Sequence, residues 1–134
     1  MLIFVTMNLD LSRLRDLFSA LGDRTRLRIA HLLLQSKKGL CVSELTDALE
    51  EPQPNVSRHL KLMKQAGLVT ERREGCWSYC CLCEPVRDFL STLSCCFHQV
   101  PAMDLERDRR ELRKRLALRR AGKCVVGIQK QVLR

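Results

Sequence analysis

Apolar positions recur with a helical period in "LDLSRLRDLFSAL", where Leu14, Leu17, Phe18 and Leu21 form one stripe. Gly22 closes that helix, and Asp23 is a good N-cap for the next, "RTRLRIAHLLLQ", whose stripe includes Leu27, Ala30 and Leu34. The polar connector "SKKGL" follows. Ser43 is placed to cap a short helix, "ELTDALEE", which Pro52 stops because proline cannot continue the hydrogen-bond ladder. In "QPNVSRHLKLMKQAGLV", Pro54 suits the first helical turn, where its missing N–H is not needed. Val56, Leu60 and Met63 line one face of this helix; Ser57, Arg58, Lys61 and Gln65 line the other. One side can dock while a polar, cationic side stays free. Gly67 ends the helix.

The period then changes to two. "LVTERREGCWSYCCL" predicts a β-hairpin with its turn at Glu74-Gly75. In the second strand Trp77, Tyr79, Cys81 and Cys83 share one face, and Cys76, Ser78, Cys80 and Leu82 the other. From Pro85 a helix returns, with Val86, Phe89, Leu90, Leu93 and Phe97 in one stripe, until Pro101 breaks it. "MDLERDRRELRKRLALRR" is a further helical pattern with a thin Leu105, Leu112, Leu116 stripe. The pattern is mainly α with a small β-hairpin. Two short helices joined by a tight turn and followed by a hairpin make a winged helix-turn-helix. A helix of this kind fits the major groove, where polar side chains on its outer face reach base edges and phosphates. The basic hairpin tip, Arg72 and Arg73, can lie against the neighbouring backbone.

Charge sharpens this picture at one end only. Residues 1–106 hold 13 Lys+Arg and 13 Asp+Glu, whereas residues 107–134 hold 11 and 2, so the last segment supplies the whole net charge of +9. Such a run is either a solvated, partly disordered end or a contact for a polyanion such as DNA or RNA. No apolar run is long enough to cross a bilayer, and no secretory signal is evident. The expectation is a cytoplasmic protein, with no membrane partner, whose eight cysteines stay reduced and free to bind soft ions or be oxidised. No cysteine has a nearby histidine in a recognisable catalytic motif, which argues against an enzyme.

The segments "ALGDRTRLRIAHLL", "CVSELTDAL", "PNVSRHLKLMKQAGLV" and "RREGCWSYCCL", in this order over roughly residues 10–100, resemble the ArsR/SmtB family of metal-responsive repressors. The resemblance implies a homodimer, formed through the first and last core helices, that binds operator DNA and releases it when a metal or metalloid binds. It implies a DNA-binding and dimerisation domain at 8–100, flanked by an N-terminal extension at 1–7 and a basic, partly helical C-terminal tail at 101–134. It also implies that Gln53, Asn55, Ser57, Arg58, His59 and Lys61 lie at or near the DNA. His59 flanks the apolar stripe and has packing as an alternative role; Arg58 and Lys61 have the least other use.

The thiols point to the inducer. Trivalent arsenic and antimony, Cu(I), Zn(II) and Cd(II) favour thiolates, because soft donors suit soft acceptors. Arsenic-responsive family members carry cysteine-only sites, one version being "C-V-C" at the start of the first helix of the helix-turn-helix. The matching residues here are Cys41, Val42 and Ser43, so one ligand is absent and Cys41 reads as a half-buried residue beside a capping Ser43. No Asp-x-His pair marks a zinc site on the last helix. Cys95 and Cys96 remain: on a helical wheel both fall off the Phe89/Leu93/Phe97 stripe, where a ligand can reach them. The expected inducer is trivalent arsenic or antimony at Cys95 and Cys96, with Cys124, a hairpin cysteine or a thiol from the other subunit as third donor. A thiol-redox sensor of the same fold and a ligand-independent nucleic-acid-binding protein are the alternatives.

Overall fold

The computed structural model describes residues 10–99 and 102–130. The N-terminal extension at 1–7 and the helix break at Pro101 lie outside the described residues. Helices α1 (Leu11–Leu21) and α2 (Arg24–Leu34) lead to a short strand β1 (Leu40–Cys41), then α3 (Val42–Leu49) and α4 (Gln53–Gln65). Strands β2 (Val69–Glu74) and β3 (Trp77–Leu82) follow, then α5 (Glu84–Thr92), α6 (Ser94–His98) and α7 (Ala102–Leu116). Asp10 and Asp23 cap the first two helices, accepting the Arg13 and Arg26 N–H at 2.7 and 3.0 Å.

The core lies where the apolar faces meet. Leu17, Ile29, Leu32, Leu33, Leu45, Leu49, Val56, Met63 and Leu68 are fully buried or within 1% of it. The hairpin becomes the wing of a three-stranded antiparallel sheet of order β1-β3-β2. The alternation within β3 sorts its side chains: Cys80 and Leu82 enter the main core, while Tyr79 packs with Cys41 and Cys124 on the other face. Gly39 lets the chain enter β1. Its φ is +90°, and a Cβ there would stand 2.5 Å from Cys81 Sγ and 2.8 Å from the Cys80 carbonyl. At Gly67 (φ 76°) the Leu68 N–H reaches the Met63 carbonyl and the Gly67 N–H the Lys64 carbonyl, the two bonds of a Schellman stop.

Four readings of local structure change. The strand β1 is too short for a period to show. Helix α3 starts at Val42 with Cys41, not Ser43, as its N-cap; Glu44 accepts the Cys41 N–H at 2.9 Å, the reciprocal half of a capping box. The long helix from Pro85 is broken at Leu93, where φ and ψ are −88° and 4°. Thr92 Oγ1 donates to the Asp88 carbonyl at 3.0 Å, a back-bond that bends helices, and Cys96 N–H bonds three residues back to Leu93.

The fourth change is the basic segment, which through residue 130 is folded onto the domain instead of solvated. Leu105 and Leu112 are buried and Leu116 is partly so. Helix α7 lies against α3, whose Glu44 and Asp47 carboxylates are almost fully buried. A carboxylate cannot stay charged there without a partner. Arg119 supplies one to Glu44 (Nε–Oε2 and Nη2–Oε1, both 2.7 Å) and Arg115 one to Asp47 (2.6 Å). In return Arg28 of α2 pairs with Asp108 of α7, which is 0% exposed, at 2.8 Å.

Candidate nucleic-acid interface and thiol sites

Helix α4 stands on the domain as an amphipathic rod. Val56, Leu60 and Met63 are buried, while Gln53, Arg58 and Lys61 are exposed and Asn55 and Ser57 partly so. The outward side chains are linked to one another. Gln53 Nε2 donates to Ser57 Oγ at 2.7 Å, and Arg58 Nη2 donates to Asn55 Oδ1 at 2.6 Å. Asn55 Nδ2 in turn donates to Glu51 at 3.2 Å. The result is a short row of amide, hydroxyl and guanidinium groups, spaced as donors and acceptors on one helix face.

His59 does not belong to that row. It is 8% exposed and turned toward α2, where Arg26 Nη1 donates to its Nδ1 at 3.2 Å and Asp23 Oδ2 lies 3.8 Å away. Arg26 also donates to the Ala20 carbonyl at 2.5 Å. The trio of Asp23, Arg26 and His59 ties α4 to the α1–α2 corner, the packing role that His59 has as its alternative. The Arg26 N–H pairs with the Asp23 cap, and that backbone bond above all holds the Asp23 carboxyl below its ordinary range. Arg26 gives no sign in the helical pattern, because its partner is 33 residues away.

In the wing the two arginines part company. Arg72 pairs with Glu74 at 3.2 Å, donates to the Lys38 carbonyl at 3.0 Å and stacks over the Tyr79 ring at 5.1 Å. Arg73, exposed on the opposite face of β2, pairs in register with Ser78. Arg73 is therefore the better placed to reach outward.

Cys95 and Cys96 are both exposed on the short α6. Among the described residues, one group of three or more His, Cys, Asp or Glu side chains has its ligating atoms close together: Cys41, Glu44 and Cys124. Cys41 and Cys124 are both 2% exposed. Burial, with Cys124 and Glu44 beside it, pushes the Cys41 thiol far above its ordinary value. Burial likewise pushes the Cys80 thiol up to about 12. The sequence hid the Cys41–Cys124 meeting because the two stand 83 positions apart, on segments that the Arg115 and Arg119 pairs help to bring together.

A helical pair over a twisted hairpin wing, with a polar helix face turned out, is the winged helix-turn-helix class. The domain superposes with TM-score 0.60 on the homodimeric winged helix-turn-helix DNA-binding domain (fragment 1–100) from Mycobacterium bovis, 27% identical, covering 66% of this chain and 82% of that one. Residues 23–71 match the family model described as "Bacterial regulatory protein, arsR family". The chain is 44% identical over 64 residues to an uncharacterised HTH-type transcriptional regulator of Methanocaldococcus jannaschii, covering 48% of this chain and 71% of that protein. It is 42% identical over 80 residues to the arsenical resistance operon repressor of Bacillus subtilis, covering 59% and 75%. It spans about half the length of two arsenic resistance regulators of Pseudomonas putida. The chain belongs to the ArsR family, a family of transcriptional regulators and not of enzymes. Among the described residues no helix is long and apolar enough to cross a membrane.

Proposed function

We propose that this protein is a transcriptional repressor that binds operator DNA as a homodimer and lets it go when trivalent arsenic or antimony binds its thiolates. The observation that carries the DNA half is the outer face of α4. Gln53, Asn55, Ser57, Arg58 and Lys61 lie together on a helix whose other face is locked into the core. Arg58 and Lys61 supply charge for phosphate or guanine, Asn55 and Gln53 the amides that suit adenine, and Arg73 a cation at the wing.

The dimer reading rests on α1 and α5. Phe18 is 52% exposed and stacks edge-on against Phe89, with ring centroids 5.7 Å apart, and Leu11 on the same helix is 82% exposed. An apolar surface of that kind on the first and last core helices suits a two-fold partner. The Mycobacterium bovis domain is described as homodimeric, which supports the same reading.

Cys95 and Cys96 are the proposed ligands of the inducer, with a hairpin cysteine or a thiol from the other subunit as third donor. Both thiols are exposed, and α6 is joined to α5 by the bend at Leu93. Ligation there would pull on the end of the dimerisation helix and rotate one DNA-binding unit against the other, a rigid-body change at an interface. The arsenical resistance repressor of Bacillus subtilis supports the choice of inducer. The test is a double Cys95→Ser, Cys96→Ser protein, since serine is close to cysteine in size and a poor soft-metal ligand. It should fold, dimerise and bind operator, yet stay bound when arsenite is added. Release at the wild-type arsenite concentration would place the sensor elsewhere.

A further inference from the structure

Two thiols and a carboxylate converge where the C-terminal segment crosses the start of α3. The ligating atoms of Cys41, Glu44 and Cys124 lie within 4.8 Å of one another, and all three side chains are buried. Cys41 is the N-cap of α3, and Glu44 sits one turn on with an oxygen on the Cys41 N–H. Cys124 arrives from the far end of the chain. Its N–H donates to Tyr79 Oη at 2.9 Å, and its sulfur stands 3.9 Å from Ser43 Oγ.

We propose that Cys41, Cys124 and Glu44 form a second metal site, for a thiophilic divalent cation of the zinc or cadmium type, which fastens the C-terminal segment to the first helix of the helix-turn-helix. This site uses neither Cys95 nor Cys96 and stands whether or not they bind the inducer.

The donor set selects the ion. Two thiolates, one carboxylate and the Arg119 guanidinium on Glu44 sum to two negative charges, which a divalent cation cancels. A pyramidal trivalent metalloid wants three sulfurs, and this cluster offers two. Sulfur and carboxylate oxygen together suit zinc, with the Ser43 hydroxyl beside Cys124 or a water as fourth ligand. Around a tetrahedral ion with metal–sulfur bonds of about 2.3 Å, sulfurs sit roughly 3.8 Å apart, so the donors need close by no more than about 1 Å. Binding exchanges two thiol protons for the ion: both S–H bonds break, two metal–sulfur bonds form, and two protons leave to solvent. Affinity should therefore rise with pH.

Lodging the ion has a mechanical consequence. Without it the segment after α7 is held to α3 by the Arg115 and Arg119 pairs and by the Gln129 and Lys130 N–H groups on Asp47. An ion adds a covalent-like link between residues 41 and 124.

The test uses the full, reduced chain titrated with Cd(II), read by the sulfur-to-cadmium charge-transfer band. In the Cys95→Ser, Cys96→Ser background the band should persist at one ion per chain. Adding Cys124→Ser or Cys41→Ser should weaken binding by more than the roughly 10–100-fold that loss of an outer-shell partner costs. Adding Cys76→Ser at the exposed wing turn should leave it unchanged. A second readout covers variants that fail to fold. Arg119, Arg120 and Lys123 are tryptic sites flanking Cys124. Cadmium or zinc, but not magnesium, should slow cleavage there in the chain that keeps Cys41 and Cys124. Unchanged cadmium affinity in the Cys41 and Cys124 variants, loss of the band with Cys95 and Cys96 alone, or unslowed cleavage with saturating cadmium would each overturn the proposal. None of these readouts uses DNA, so failure of the repressor reading would show separately, in operator binding.

Discussion

Arg115 of α7 donates from Nε to Asp47 Oδ2 of α3 at 2.6 Å, with the two side chains 4% and 1% exposed. The same guanidinium reaches the Val126 and Gly127 carbonyls at 2.7 and 3.0 Å, and the Asp47 carboxylate accepts the Gln129 and Lys130 N–H groups. One ion pair therefore joins the first helix of the helix-turn-helix, α7 and the chain beyond it. Arg115→Ala would leave Asp47 buried with backbone donors only. It should lower stability by about 3–5 kcal/mol in urea unfolding, the usual result of breaking a buried pair. A loss below about 1 kcal/mol would mark the pair as an exposed contact.

The C-terminal segment pairs part of its charge with the body of the domain. Arg107 and Lys130 both pair with Glu50 at the end of α3, and Lys130 also with Glu111 at 2.7 Å. Truncation after Leu118 removes Arg119, Cys124 and the Gln129 and Lys130 N–H groups on Asp47, and leaves the Arg115 pair in place. It should lower the unfolding midpoint and leave the salt slope of operator binding within about one unit of the full chain. A slope that falls by several units would instead put the segment on phosphates.

Arg58→Ala and His59→Ala should fail in different ways. Arg58 is outward and should cost on the order of 1–3 kcal/mol of operator affinity, with the melting temperature unchanged. His59→Ala breaks the contact with Arg26 and should lower stability, leaving sequence preference among folded molecules as it was. Altered sequence preference in the His59 variant would return it to the DNA.

His31 gives a pH signature. It is buried beside Phe97, with ring centroids 5.2 Å apart and, among the described residues, no partner for Nδ1. Burial first, then Arg109 and His98, hold it below its ordinary 6.5 against the opposing pull of Asp108 and Glu106. With the folded value depressed, the unfolded chain takes up the proton first. The stability due to neutral His31 is full above pH 6.5 and falls as pH drops from there toward the folded value. His31→Gln should flatten that fall; an identical pH profile would contradict the assignment.

The periodicities carried most of this architecture. The buried Val56, Leu60, Met63 stripe, the alternation of Cys80 and Leu82 against Tyr79, and the glycine stop at Gly67 are local patterns, and local sterics enforce them. What stayed hidden was long-range. Nothing in the short helical stretch "ELTDALEE" marks Glu44 and Asp47 for burial, because their partners Arg119 and Arg115 stand 75 and 68 residues later. The bend at Leu93 is accompanied by one local bond, from the Thr92 hydroxyl to the Asp88 carbonyl. His59 needed Arg26 to turn it inward. Pairings at such separations leave no period to read.

The central claim, two α4 helices on two half-sites and off them when the metalloid binds, is tested most directly by footprinting the reduced chain on its operator while arsenite is titrated. The account predicts two protected half-sites about one DNA turn apart, roughly 34 Å, vanishing together as arsenite saturates. Protection of a single site, or two sites that persist at saturating arsenite, would contradict it.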